Sequence, residues 1–209
     1  MPGDCTESDR AGYLALAREP EVSAVTLKCL ARERDAGIVE SYLDGATIAD
    51  PDQERQERHV RNALSLMVAL GDAAVDPLCA RLADPRQDVR QVAAHSLALM
   101  ASPRATACLT AAAAAADPAT RASAVSAFKI LLSNGQLPAK EGWTLVTTLL
   151  RDPEPAVRIE AIRVLRFFNA GVATPAATGA QQDPDPQVQA EAVSAVREID
   201  SLRRLQVGR

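Results

Sequence analysis

Aromatic side chains are scarce in this chain: 3% of 209 residues, with one Trp, two Tyr and three Phe. A single deep globular core draws on such large side chains, so their scarcity points to thin helices packed closely through Ala, Leu and Val. No run approaches 18 apolar residues, which predicts no membrane span. The opening MPGDCTESDR lacks the charged-then-apolar plan of a signal peptide. Period-two alternation is missing throughout, so no strands are expected. A basic excess is missing too: the formal charge is −4, which disfavours a general nucleic-acid coat. Lysine is nearly absent, with 3 against 20 arginines, a bias associated, together with abundant alanine, with GC-rich bacterial genomes. The four cysteines, Cys5, Cys29, Cys79 and Cys108, form no C-x-x-C, and three sit in helical patterns where a thiol acts as a small apolar group. They are expected to be reduced and structural, in a cytoplasmic protein. Glycines are scattered singly, so there is no phosphate-cradling loop. His59 and His95 lack a ligating neighbour one helical turn away, so no metal site is expected; both read as exposed or capping. No catalytic set and no cofactor site can be placed.

What the chain does have is a recurring phrase. It is clearest in DPRQDVRQVAAHSL from Asp84 and DPEPAVRIEAIRVL from Asp152, weaker in DPDPQVQAEAVSAV from Asp183, and shortened in DPATRASAVSAF from Asp117. Looser echoes begin at Asp50 and Glu19. Self-similarity at a period of roughly 31–35 residues marks a solenoid of stacked helical units. Anchored on the residue after the valine, the series is Ser23, Arg61, Arg90, Arg121, Arg158 and Gln189. Three residues on stand Thr26, Leu64, Ala93, Ala124, Ala161 and Ala192; seven on stand Leu30, Val68, Leu97, Phe128, Leu165 and Val196. Positions three and seven apart share one helical face, with the small residue allowing close approach and the large one filling the space beyond it.

Second helices are therefore predicted at 20–33, 54–70, 86–101, 118–133, 154–168 and 185–203. An aspartate at or near the N-cap accepts a backbone N–H and suits the helix dipole, and proline fits the first turn. First helices are predicted at 7–18, 36–44, 73–83, 104–116 and 139–151. A sixth, 171–181, is expected to be short or irregular, because Pro175 and two glycines are poor helix interiors. The fold class is all-α: an α-solenoid of about six antiparallel helix pairs in one domain, with repeats 7–33, 36–70, 73–101, 104–133, 139–168 and 171–203. Residues 1–6 and 204–209 are left as tails, candidates for disorder. Residues 1–60 carry 13 acidic and 7 basic side chains and the remainder 14 and 16. The acidic third reads first as a solvated capping surface, with a docking face for a basic partner as the alternative.

The stretch from Gly71, GDAAVDPLCARLADPRQDVRQVAAHSLALM, resembles a HEAT-like repeat of the short bacterial kind also found in phycobilin lyases. Residues 143–168 resemble the later part of that pattern and 183–199 its second helix; before residue 70 only spacing supports it. The resemblance implies a structural ladder in which turn aspartates meet second-helix arginines: Asp84, Arg90, Asp117, Arg121, Asp152 and Arg158. It also implies that second helices line a concave face. Arg86, Gln91, His95, Lys129, Arg158, Arg163 and Arg166 are the candidate partner-binding residues there, as a modest basic stripe or as a solvated face paired with Glu154, Glu160 and Glu191.

The expected function is a non-enzymatic protein–protein interaction scaffold or adaptor that binds a partner segment, an acidic peptide or helix, on the concave face. The alternative is a lyase-like or chaperone-like accessory factor for a cofactor-bearing protein, on fold-level analogy alone. A remote third reading is a nucleic-acid-binding or DNA-repair protein. Some alkylpurine DNA glycosylases are built of HEAT-like repeats, but they work through a basic groove with aromatics, whereas the lone Trp143 here reads as core packing in a first helix. The sequence does not reveal the oligomeric state.

Overall fold

The computed structural model describes residues 12, 15, 24–32, 36–45 and 52–207. The predicted first helix at 7–18 lies outside them except for Gly12 and Ala15, which are helical. Twelve α-helices follow among the described residues: α1 Ala24–Arg32, α2 Gly37–Gly45, α3 Gln53–Leu70, α4 Val75–Arg81, α5 Gln87–Leu99, α6 Pro103–Ala112, α7 Pro118–Ser126, α8 Phe128–Ser133, α9 Ala139–Leu149, α10 Pro155–Val164, α11 Ala170–Ala180 and α12 Pro186–Val207. No strand occurs among the described residues. The fold class is all-α, of the helical-repeat type. The chain forms two compact units, Met1–Cys108 and Leu109–Arg209.

In the first unit the second helices α1, α3 and α5 pack in succession, the first helix α4 lies against α5, and α2 lies beside α4. In the second unit α7, α10 and α12 stack in the same way, with α9 against α10 and α11 against α12. The small-then-large pattern explains this. Ala93 and Leu97, Ala124 and Phe128, and Ala161 and Leu165 are all fully buried. Two repeats depart from the predicted register. In α3 the buried residues are Ala63, Leu66, Met67 and Leu70, while Val68 is exposed. The helix is capped by Asp52, whose side chain accepts from the N–H groups of Glu54 and Arg55, and its inward face is rotated by one residue. In α12 the inward residues are Val188, Ala192, Ala195 and Ile199 rather than Val196.

The helix starts also sharpen the reading of the phrase. In the three long copies the first aspartate is not the N-cap. Asp84, Asp152 and Asp183 each accept the N–H two residues on, from Arg86, Glu154 and Asp185, and the helix begins after that turn. Only in the shortened copy is Asp117 itself the cap, with Pro118 at the first helical position.

Three other expectations change. The predicted single helix at 118–133 is broken at Ala127. There the Ser126 hydroxyl donates to the Ser123 carbonyl and the Ala127 N–H bonds Ala124, three residues back, a local competition that serine introduces. The sixth first helix is neither short nor irregular: α11 runs for 11 residues with Pro175 inside it. Pro175 and Gly171, four residues apart on one face, are both exposed. The carbonyl that proline leaves unpaired therefore faces water, and glycine offers no side chain to crowd it. The tail predicted from 204 is helical through Val207, as the end of α12.

Gln53–Arg81 is long and apolar enough to cross a membrane by length and composition alone. It is not one helix, however. Gly71 sits in the left-handed region, φ 61°, where glycine pays no Cβ penalty. A 3-10 turn, Gly71–Ala74, then separates α3 from α4, and the apolar face is packed inward.

The three cysteines among the described residues are not reduced. Cys79 on α4 and Cys108 on α6 are joined by a disulfide, with Cα atoms 6.2 Å apart and a sequence separation of 29, and Cys29 is also disulfide-bonded. His59 is buried rather than exposed, on the inward face of α3. The chain-entropy effect of closing a 29-residue loop is worth roughly 3–4 kcal/mol. Cys79→Ser should lower unfolding stability by about that amount, and thiol titration of the denatured, unreduced wild-type protein should find no free thiol. One full equivalent or more of free thiol would show that the bridges do not form.

Candidate binding surface

Two arginines in the second unit organise the turns around them. Arg121 of α7 donates through Nε and one terminal nitrogen to both carboxylate oxygens of Asp152, each at 2.8 Å. Its other terminal nitrogen reaches the carbonyls of Ala115 and Ala116, at 2.9 and 2.8 Å. Arg158 of α10 repeats the arrangement one unit on. It meets Asp183 at 2.8 and 2.7 Å and the carbonyls of Asp152 and Pro153 at 2.8 and 3.1 Å. In the first unit Arg90 makes the same carbonyl contacts, to Asp84 at 2.8 Å and Pro85 at 2.9 Å. At the next equivalent position Gln189 donates to the Asp183 carbonyl. Asp117 accepts from the Thr120 N–H and hydroxyl. Asp183 was not among the residues assigned to the ladder, although its place in the phrase, equivalent to Asp152, was the available signal.

These pairs are largely dry. The side chains of Arg158 and Asp183 are each 10% exposed. The Arg158 guanidinium beside it holds the Asp183 carboxyl below its ordinary range. Burial opposes ionisation of Asp152, but hydrogen bonds from Arg121 and the Glu154 N–H outweigh it and lower its pKa. Asp84 shows the same balance in the first unit. Burial pushes it up, while Arg86 side-chain and backbone donors and Arg81 pull it down to about 2. Arg81 also reaches Asp44 at 2.9 Å, and Arg86 donates to the Leu43 carbonyl, so this cluster ties α2 to the turn after α4. Ser102 to Asp72 and Arg104 to Asp76, both 2.8 Å, link neighbouring first helices.

The candidate partner-binding residues fall into different environments. Arg86 is occupied by Asp84, Asp44 and the Leu43 carbonyl; Gln91 is exposed and His95 half-buried. In the second unit Lys129 is exposed. Arg158 is committed to the ladder. Arg163 meets Glu160 at 2.8 Å and Glu191 at 3.0 Å. Arg166 meets Glu198 at 2.6 Å and Glu191 at 3.8 Å. Of the acidic residues named as pairing partners, Glu160 and Glu191 do pair in this way. Trp143 is half-buried and packs edge-to-face on Phe168, with ring centroids 5.3 Å apart.

A feature that sequence reasoning missed lies beside that aromatic pair. A cavity of about 640 Å³ opens within the second unit, between the segment 166–171 and the distal part of α12. Phe167, Phe168, Ile199 and Leu202 supply its apolar lining; Arg166 and Arg203 supply its charge.

Residues 144–207, which hold the second ladder pair and this cavity, match the HEAT repeats family. This part of the chain is similar to HEAT repeats over those 64 of its 209 residues. No curated protein matches the sequence. Among solved structures, the complex of CpcE and CpcF of phycocyanin lyase from Nostoc sp. PCC7120 shares 21% identity over 77% of this chain and 99% of that one, with a TM-score of 0.52. A designed armadillo repeat protein in complex with the peptide (KR)4 shares 19% over 92% of each chain, TM-score 0.50. Cex1p shares 14% over 88% of this chain and 40% of its own, TM-score 0.53. At these identities the likeness shows the helical-repeat fold.

The arginine–aspartate ladder yields two predictions. Asp183→Ala leaves the Arg158 charge buried without its partner and should cost roughly 3–5 kcal/mol. Glu191→Ala breaks a more exposed pairing and should cost under about 1 kcal/mol. Urea unfolding of the two variants tests this, and equal losses would contradict the assignment. The pH dependence follows from the depressed aspartates. Their stabilisation is complete above the unfolded value near 3.8 and is lost as pH falls through the folded value, about 2 for Asp84. Thermal melts should therefore fall steeply between about pH 4 and pH 2, and Asp84→Asn should flatten part of that slope. An unchanged slope would remove Asp84 from the account.

Proposed function

We propose that the protein is a non-enzymatic interaction scaffold whose HEAT repeats bind a segment of another protein. The observation that carries this is the apolar surface of the second unit. Phe167 and Leu202, which line the cavity, are 41% and 46% exposed, and exposed apolar groups of this size mark interaction surfaces when they cluster around a cavity. Two fold neighbours support the reading: one is described in complex with a peptide and another as a complex of two chains. The partner segment is acidic in this reading. Of the predicted arginine stripe, Arg158, Arg163 and Arg166 already meet acidic side chains, which makes them less available to such a segment.

The second reading, a lyase-like accessory factor, is favoured by the CpcE and CpcF likeness. One experiment separates the two. The purified protein is incubated with cell extract or with a linear tetrapyrrole and then passed through size exclusion. The scaffold reading expects a protein to co-elute in fixed ratio and the chain to stay colourless. Visible absorbance travelling with the chain, with no protein bound, would favour the accessory factor instead.

A further inference from the structure

The cavity beside α12 has one sign of charge. Helix α12 has 22 residues and its neighbour α11 has 11, so at 1.5 Å per residue α12 is about 33 Å long against about 16 Å. Its inward stripe, Val188, Ala192, Ala195 and Ile199, is buried along the shared length. Leu202 continues that stripe by one more helical step, yet it is 46% exposed, and Leu205 is 68% exposed. The stripe therefore outlasts the helix it packs on. Beside this continuation, at the N-terminal end of α11, lies the cavity, with Phe167, Phe168, Ile199 and Leu202 in its lining.

No acidic side chain lines it; its two charged residues are Arg166 and Arg203. Arg166 is held by Glu191 and Glu198. Arg203 is exposed and forms no ion pair with a described residue, and neither do Arg197 and Arg204 on the same helix. A recess with Phe168, Ile199 and Leu202 in its lining and one uncompensated cation, Arg203, at its rim complements an apolar side chain flanked by carboxylates. Against a basic or neutral peptide the same rim is repulsive or indifferent.

We infer that this cavity is the partner site of the scaffold: it takes an acidic peptide segment that seats one large apolar side chain against Phe168, Ile199 and Leu202 while its carboxylates meet Arg203. This rests on the scaffold reading and gives it an address. The contact is a small anchor-and-rim site, so single substitutions at its centre weigh heavily.

The test is selection of a random-peptide library displayed on phage against the full-length protein, followed by binding of the selected peptides to wild type, Leu202→Glu and Arg203→Glu. Leu202 and Arg203 are exposed, so both variants should fold, and circular dichroism melts verify it. Selected peptides should share an apolar residue beside Asp or Glu. Both substitutions should weaken them by roughly tenfold or more, and added salt should weaken wild-type binding. Selection of peptides without acidic residues, no selection at all, or binding indifferent to both substitutions would overturn the inference. So would conversion of a wild-type dimer to a monomer by Leu202→Glu in sedimentation, which would make the recess a self-association surface. If both variants still capture the wild-type partner from extract, the scaffold stands and the cavity falls. If wild type captures neither protein nor peptide, both fall.

Discussion

Everything in the second unit is registered by one kind of contact: an arginine fork that grips an aspartate of the following repeat while its remaining nitrogen caps two turn carbonyls. Arg121 and Arg158 each use four of the five guanidinium N–H groups this way. The need for it comes from the sequence. The interhelical face is built on alanines, Ala124, Ala161 and Ala192, and a buried methyl contributes only about 0.8 kcal/mol. Alanine faces let helices approach but do little to stop them sliding. A planar bidentate pair fixes both distance and orientation. Its net free energy is small because desolvation offsets attraction, so its role is to set the spacing of repeats.

That role has a consequence for recognition. A second-helix arginine looks, in sequence, like a ready cation for an acidic ligand. In the fold, its acid already stands one repeat away: Asp152 for Arg121, Asp183 for Arg158, Glu191 for Arg163. The same regularity that makes the stack consumes its positive charge.

The repeat period, the helix pairs and most of the buried face were legible because small-then-large spacing and turn chemistry are local. What was not legible depended on several elements at once. The face of α3 slipped by one residue because the Val60-Arg61 anchor does not mark the register this helix buries: Ala63, Met67 and Leu70 face inward and Val68 is exposed. Pro175 argued against α11 by propensity, but the argument fails when the orphaned carbonyl faces solvent. The Cys79–Cys108 bridge requires knowing how α4 and α6 align, which 29 residues of separation do not reveal. Its presence also removes the reduced-thiol support for a cytoplasmic location. The cavity depends on the difference in length between α11 and α12, and helix ends are what a pattern defines least well.

The contrast among arginines is then informative in itself. Across the second unit, charge on the stacked helices is balanced repeat against repeat, down to Arg166, which shares Glu191 with Arg163 and takes Glu198 besides. Beyond that point on α12 the pattern changes: Leu202 and Leu205 stay apolar while exposed, and Arg203 and Arg204 between them meet no acidic partner among the described residues. A solvated helix end would be expected to pair its cations locally or to place polar residues on the continuing stripe. This one does neither. An apolar stripe with unmatched positive charge is incomplete in both hydrophobic and electrostatic terms, and a single acidic, apolar-anchored segment would satisfy both together.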